Sequence, residues 1–312
     1  MDEPMASIFI DGAAGTTGLE IRERLSQRPT LDLIILDEAD RKDPEARRAA
    51  IERADVTILC LPDDAARDAV AMASADARFI DASSAHRTHP DWTYGFAELT
   101  SDRRTAIADA RLLSNPGCYP TGFLALVAPL VAHGLLKADW PFSVHAVSGY
   151  SGGGNAMIAR FEQPDAPAFR SYGLSLEHKH LAEMQMQAGL TDLPIFSPGV
   201  VSGFRGMIVE VPVPAAAMTM DGSPRAFSEA LAEHFAGEPL ITVHQNRDAD
   251  ELLVARAEQP SDRLDLFVFA SGDGRRTRLI AMLDNLGKGA SGAAVQNLNL
   301  MIGAPETEGL RL

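Results

Sequence analysis

The sequence predicts an α/β protein: a doubly wound, Rossmann-type parallel sheet followed by a second domain of α+β character. In the first third, short apolar segments without alternation are separated by amphipathic stretches, the pattern of strands buried on both faces between helices. The first such segment runs directly into glycines at every third position, Gly12, Gly15 and Gly18. Beyond residue 136 the apolar segments are separated by long helices or loops rather than regular βα units, which fits a mixed or antiparallel sheet.

Ser7 to Asp11 reads as the first buried strand, and Leu19, Ile21 and Leu25 among charged residues as the helix after it. Leu31 to Leu36 is a second strand ending at Asp37, and Asp55 to Pro62 a third, with a helix from about Asp63 to Ser74. Arg78 to Asp81 is another strand. A helix is expected over Phe123 to Leu136. Strands then follow at Phe142 to Val147, Met207 to Val213, Ile241 to Val243, Leu264 to Ala270 and Arg276 to Leu283. Ala294, Val295, Leu298, Met301 and Ile302 have helical spacing, and this last helix is expected to return to the first domain. The expected division is 1–115 with 285–312 as a dinucleotide-binding domain, and 116–284 as the second.

The chain has 312 residues, 46% of them hydrophobic, enough for a large core and more than one domain. Its 28 Lys and Arg against 43 Asp and Glu give a net charge of −15. That balance argues against nucleic acid or an anionic membrane as the main partner. It still allows an anionic substrate held by a few local arginines. Cys60 and Cys118 are the only cysteines, which excludes a disulfide framework and points to a reducing, cytoplasmic setting. Met1-Asp2-Glu3-Pro4 lacks the basic and apolar regions of a signal peptide. No apolar run approaches the ~18 residues of a membrane span.

Gly12, Ala14, Gly15, Thr16, Thr17 and Gly18 form a turn between a strand and a helix. There glycines permit close backbone approach and the helix start attracts a pyrophosphate. An ordinary tight βα turn is the alternative, because the spacing departs from G-x-G-x-x-G. Asp37, 19 positions after Gly18, suits a ribose hydroxyl, whereas Arg41 and Lys42 suit a 2′-phosphate. Spacing alone leaves NAD and NADP both open.

Ser114-Asn115-Pro116-Gly117-Cys118-Tyr119-Pro120-Thr121-Gly122 places a cysteine in a turn just before an apolar, helix-like run. A thiol at a helix start lies where unpaired N–H groups favour negative charge, so the thiolate, the nucleophilic form, is populated. Cys60, inside an apolar strand, reads as a small buried hydrophobe. The proton-transfer partner is sought in Ser175-Leu176-Glu177-His178-Lys179-His180-Leu181-Ala182-Glu183. With Ser175 as N-cap and Gly189 as stop, His180 and Glu183 are i, i+3 neighbours, so the carboxylate could orient the imidazole. His178 then projects about 200° away from His180. A solvated helix start rich in His and Lys is the plainer alternative. His133 and His244 read as structural or surface residues. No His/Cys spacing matches a zinc site, and no metal is expected.

Ser148-Gly149-Tyr150-Ser151-Gly152 follows a strand and either lines a site or is a mobile connector. Asp81-Ala82-Ser83-Ser84-Ala85-His86-Arg87 follows another, where open α/β sheets bind ligands. Arg87 suits a bidentate clamp on phosphate or carboxylate, or a surface ion pair, equally well. Arg205 is a weaker candidate.

The cysteine run, together with Asp284-Asn285-Leu286-Gly287-Lys288-Gly289-Ala290-Ser291-Gly292-Ala293-Ala294-Val295-Gln296-Asn297-Leu298-Asn299, resembles the N-acetyl-γ-glutamyl-phosphate reductase family in its shorter form, type 2. Asp81 to Arg87, Ser148 to Gly152 and His178 to Glu183 look like further blocks of that family in the expected order. Two departures stand out: Ala182 replaces the proline of His-x-His-x-Pro-Glu, and Ala85-His86-Arg87 replaces the longer form's Asp-Phe-Arg. The resemblance implies an aspartate-semialdehyde and glyceraldehyde-3-phosphate dehydrogenase-like fold whose second domain is catalytic and oligomerising, in a homodimer or homotetramer. It also implies NADP(H) as cofactor, arginine biosynthesis as pathway and a small acyl phosphate as substrate.

By that resemblance Cys118 attacks the γ-acyl phosphate, phosphate leaves, and the thioester is reduced by NADPH to N-acetylglutamate 5-semialdehyde. His180 is the first choice for acid–base work and His178 the second. Asn115 and nearby N–H groups serve the oxyanion. Arg87, Ser148, Gly149 and Arg205 serve the substrate; Asn285, Gly287, Lys288 and Gly289 serve the cofactor. The alternatives are a related reductase of aspartyl or aminoadipyl phosphate, a non-catalytic NADP-binding redox sensor built on Cys118, and a cysteine hydrolase that needs no dinucleotide.

Overall fold

The computed structural model describes residues 6–245, 249–256 and 259–312. It divides into two compact units, Met1–Gly117 with Ala290–Leu310, and Cys118–Gly289 with Arg311–Leu312.

The first unit begins with β1 (Ala6–Asp11), α1 (Thr16–Ser26), β2 (Leu31–Ile34), α2 (Pro44–Arg53), β3 (Val56–Leu59), α3 (Asp63–Ala71) and β4 (Phe79–Asp81). It continues with β5 (Thr93–Tyr94), α4 (Arg103–Ala108) and β6 (Leu112–Ser114). The sheet order is β2-β1-β3-β4-β6-β5, with every pairing parallel. Because side chains alternate across a strand, β1 sends Ile8 and Ile10 into one core with Ile21, Leu25, Val56, Ile58 and Ile80. It sends Phe9 into another with Ile34, Ile51, Leu59 and Phe79. Both faces are therefore buried, which is why these strands read as continuous apolar runs. Asp43 starts α2 by accepting a hydrogen bond from the Glu45 N–H, with Pro44 in the first turn, a cap that contributes about 1 kcal/mol.

The second unit starts with α5 (Cys118–Ala132), β7 (Ser143–Gly149), α6 (Gly154–Phe161), β8 (Phe169–Ser171), α7 (Leu181–Gln187) and β9 (Ile195–Val201). It continues with β10 (Met207–Pro214), α8 (Pro224–His234), β11 (Ile241–His244), β12 (Leu264–Ala270) and β13 (Arg276–Leu283). Its sheet runs β11-β12-β13-β10-β7-β9-β8. Parallel pairs β11/β12 and β7/β9 stand beside antiparallel ones, the mixed sheet expected. α5 is buried nearly all round, as a helix apolar on every side must be. Gly122 lets it lie against the sheet: a β-carbon there would come within 2.8 Å of Val209 and 3.3 Å of Ala281.

After β13 the chain passes through a π-helical turn, Gly287–Ser291, into α9 (Gly292–Met301), whose Ala294, Val295 and Leu298 join the first unit's core. Two expected elements differ, and two strands were not expected. The helix placed over Phe123 to Leu136 begins at Cys118 and ends at Ala132; Leu136 instead bridges Met218. The helix placed from Ser175 begins only at Leu181, because Leu176 takes φ +59° and interrupts any helix there. The stop at Gly189 holds, with φ +66°. Strand β9, with Pro198-Gly199 inside it, and its short partner β8 were not expected at all.

Candidate active site

In the first unit, the turn after β1 is built for close backbone packing. Gly12 has φ +88°, and a β-carbon there would lie 2.3 Å from the Cys60 carbonyl oxygen. One on Gly18 would lie 2.4 Å from the Gly12 carbonyl oxygen. Gly15 occupies the N-cap of α1 without a side-chain cap, and the first turn carries no acidic residue. Main-chain N–H groups at the start of such a helix suit a pyrophosphate, so this cradle fits a dinucleotide. Ala14, Thr16 and Thr17 complete the turn. Asp37 lies exposed after β2, its Oδ1 accepting from the Ala39 and Asp40 N–H groups at 2.9 and 3.0 Å. Exposed Arg41 pairs with Glu38 at 2.7 Å. Arg47, which sequence reasoning passed over, holds buried Asp11 at 2.7 Å; burial raises the Asp11 pKa and the arginine opposes that rise.

Asn115 lies after β6 in the same unit. Its N–H donates to the Asp81 carbonyl at 2.8 Å, and its carbonyl accepts from Arg87 Nε at 3.0 Å. Its Nδ2 donates to the Ala290 carbonyl and its Oδ1 accepts from Asn297 Nδ2, both at 3.0 Å. Arg87 also donates to the Ala82 carbonyl. The loop carrying Arg87 is fixed by buried Asp81, which accepts from Ser83 and sits 2.6 Å from Nδ1 of His86. His86 in turn stacks on Trp92 at 4.0 Å between ring centroids. Arg87 and Asn115 thus fasten the segment that leads into Cys118. Asn297 reveals itself only through the fold, 182 positions from Asn115.

In the second unit, Cys118 is the first residue of α5 and forms no disulfide. Gly289 packs on it: a β-carbon on Gly289 would lie 2.9 Å from the Cys118 β-carbon. Tyr119 donates to the Gly199 carbonyl at 2.9 Å, and Tyr172 reaches the Tyr119 hydroxyl at 3.5 Å. Burial, then the neighbouring Tyr172 and Cys118, hold the Tyr119 phenol well above its ordinary pKa. His178 and His180 both pack on Tyr119, with ring centroids 6.3 and 5.9 Å away, and lie 4.7 Å from each other. The two histidines therefore share one cluster rather than opposite sides of a helix. His180 is the N-cap of α7, its carbonyl accepting from the Met184 N–H at 2.9 Å; Glu183 is buried in the first turn.

The segment after β7 is tied to the neighbouring loop by main-chain hydrogen bonds. The N–H groups of Gly149, Tyr150 and Ser151 donate to the carbonyls of Gly206, Gly203 and Phe204. A β-carbon on Gly149 would lie 2.6 Å from the Arg205 α-carbon. Arg205 pairs with buried Asp284 at 2.7 Å. Asn285 donates to the Ser151 hydroxyl at 2.9 Å. Gly287 allows the chain to pass the Ser261 carbonyl, and Lys288 is only 2% exposed. Among the described residues no group of three or more His, Cys, Asp or Glu side chains is placed to hold a metal ion. None of their helices is long and apolar enough to cross a membrane.

Comparison with known proteins gives a consistent picture. The model of the semialdehyde dehydrogenase NAD-binding domain matches residues 7–107, and that of the semialdehyde dehydrogenase dimerisation domain matches residues 118–285. An N-acetyl-γ-glutamyl-phosphate reductase of Brucella suis is 49% identical over 305 residues, covering 95% of this chain and 98% of its own. The Brucella ovis protein of the same name is 48% identical over the same shares. Among solved structures, aspartate semialdehyde dehydrogenase II from Vibrio cholerae superposes with a TM-score of 0.72 at 15% identity, over 96% of this chain and 98% of that one. A probable aspartate-semialdehyde dehydrogenase from Pseudomonas aeruginosa gives 0.71 at 16%, over 96% and 99%. These structures show the fold; the close relatives, matched almost end to end, show that the chain belongs to the N-acetyl-γ-glutamyl-phosphate reductase family.

Proposed function

We propose that the chain reduces N-acetylglutamyl 5-phosphate to N-acetylglutamate 5-semialdehyde and phosphate, in arginine biosynthesis, through a thioester on Cys118. The observation that carries this reading is the thiol at the first residue of α5, packed against Gly289 and followed by a tyrosine on which two histidines rest. In this reading Cys118 Sγ attacks the acyl carbon, and phosphate departs with the electrons of the C–O bond. Main-chain N–H groups in the first turn of α5 stabilise the thiolate and the oxyanion. NADPH, when bound at the glycine turn after β1, supplies the hydride that reduces the thioester. His180 holds a proton at the oxygen of the resulting tetrahedral hemithioacetal. It takes that proton back as the carbonyl re-forms and Cys118 leaves as thiolate. Asn115 and Arg87 hold the entry to the nucleophile in place.

The second unit is also proposed to pair with another copy of the chain. Support comes from the dimerisation-domain match and from the exposed Phe169 and Ile195 on its sheet, 54% and 47% accessible. A cavity of about 790 Å³ lined by Trp140, His145, Pro212, Phe269 and Arg276 lies in the same sheet.

The test is phosphate-dependent reduction of NADP with N-acetylglutamate 5-semialdehyde, the reverse reaction, run beside aspartate semialdehyde. A rate that vanishes in Cys118→Ser and exceeds that with aspartate semialdehyde supports the reading. Preference for aspartate semialdehyde, or full activity in Cys118→Ser, overturns it.

A further inference from the structure

The proposed substrate carries two anionic ends, the acyl phosphate and, across the chain from it, an α-carboxylate. Sequence reasoning offered Arg87 and Arg205 for them. Arg87 is turned onto main-chain carbonyls of the first unit, and Arg205 is paired with Asp284. A third arginine, which the sequence did not bring forward, stands beside the catalytic cluster.

Arg170 lies in the edge strand β8, paired with Val200 of β9. Val200 pairs with Ser148 of β7, and Ser148 with Met207 of β10. Directly paired residues share a face of a sheet. Met207 and Val209, two apart on β10, also share a face, and Val209 meets Gly122 of α5. The register therefore puts Arg170, Val200, Ser148 and Met207 in one row on the face against which α5 packs. Phe169 faces the other way, onto Gly199.

The Arg170 guanidinium lies 4.5 Å from the centroid of the Tyr172 ring. Tyr172 meets Tyr119 through its hydroxyl, and Tyr119 adjoins Cys118 in the chain. Among the described residues the Arg170 side chain makes no hydrogen bond or ion pair; its contact is the Tyr172 ring. A cation resting on an aromatic face keeps its N–H edge available for a planar oxyanion.

Resting on the function proposed above, we infer that Arg170 binds the α-carboxylate of the acyl-phosphate substrate and so sets the enzyme's specificity at that end. Two phenol rings intervene between the guanidinium and the thiol. The phosphate sits on the reacting carbon itself, whereas the carboxylate lies four C–C bonds away, roughly 5 Å along the chain. A guanidinium that touches Tyr172 rather than the thiol suits the anion farther from the reacting carbon.

The experiment compares N-acetylglutamate 5-semialdehyde with its α-carboxamide analogue in the reverse assay, using wild type, Arg170→Met and Arg170→Lys. Wild type is expected to prefer the carboxylate by about 10- to 100-fold in kcat/KM, the usual worth of a charge-assisted hydrogen bond. Arg170→Met should erase that preference, and Arg170→Lys should restore part of it. KM values for phosphate and NADP should stay near wild type. Arg170 bonds no other described side chain, so folding is expected to survive, and NADPH affinity checks it. A preference undiminished in Arg170→Met, or a rise in phosphate KM instead, overturns the assignment. Wild-type turnover in the same assay establishes the reaction separately, so failure of the arginine and failure of the proposed activity give different results.

Discussion

The main-chain N–H of His180 donates to Nδ1 of His178 at 3.1 Å. That bond gives two neighbouring histidines different surroundings, and the function proposed gives them different roles. His178 spends one ring nitrogen as an acceptor, so its proton sits on Nε2. Burial, then the nearby Lys179 charge, lower its pKa from 6.5 to about 4. At neutral pH it is uncharged, and in the function proposed it positions the entry to α7 rather than moving a proton. In the function proposed, His180, more deeply buried and resting on Tyr119, carries the proton transfer. His180→Asn is therefore expected to reduce kcat/KM by about 10²–10⁴, and His178→Asn by about tenfold or less, with the acid limb of the pH–rate profile preserved. The reverse ranking would exchange the two roles.

The same group predicts a pH dependence of stability. Its pKa is depressed on folding, so between 6.5 and about 4 the unfolded chain takes up the proton more readily than the folded one. This contribution is fully present above pH 6.5 and is lost as pH falls toward 4. Denaturant unfolding at pH 7 and pH 4.5 should show wild type losing more stability than His178→Asn over that interval. Equal losses would contradict the shift.

Gly289→Ala tests the other side of the proposed nucleophile. A methyl group there would meet the Cys118 β-carbon at 2.9 Å and the Asp284 carbonyl oxygen at 3.1 Å. Neither neighbour gives easily. Cys118 is held at the start of α5, and that same carbonyl accepts from the Gly289 N–H at 3.0 Å. Displacing the thiol by a fraction of an ångström should slow turnover on the order of 10²-fold and change the rate of Cys118 alkylation, with the fold kept as read by circular dichroism. Wild-type kinetics in this variant would show that Gly289 does not set the thiol's position.

Much of this arrangement was legible in the sequence where the signal was local. The strands of the first unit, buried on both faces, print as unbroken apolar runs, and the glycine turn and the cysteine at a helix start are contiguous. Strand β9 was hidden because Pro198 and Gly199 carry the composition of a turn; a parallel pairing with β7 overrides it. The start of α7 was misplaced because Ser175 is a good cap by type, whereas Leu176 adopts a left-handed conformation set by the surrounding chain. Partners such as Asn115 with Asn297, or Arg205 with Asp284, lie far apart in sequence. Only the packed fold brings them together, so the sequence suggested Asn115 and Arg205 as site contacts without revealing their internal partners.

Cys60 provides a contrast between the two thiols. It follows β3 and packs against the first unit's core. Burial, then the nearby Asp81 and Asp11 charges, push its pKa up to about 12. At pH 8 its thiolate fraction is then on the order of 10⁻⁴. Iodoacetamide should therefore label Cys118 and leave Cys60 intact in the folded protein, as read by mass spectrometry of the two peptides. Cys60→Ala should retain turnover and lose about 1 kcal/mol of stability, the scale of a small deletion in a packed interior. Cys118→Ser should abolish turnover while NADPH still binds. Comparable labelling of both cysteines, or loss of activity in Cys60→Ala with the fold intact, would give Cys60 a part in the chemistry that its surroundings deny it.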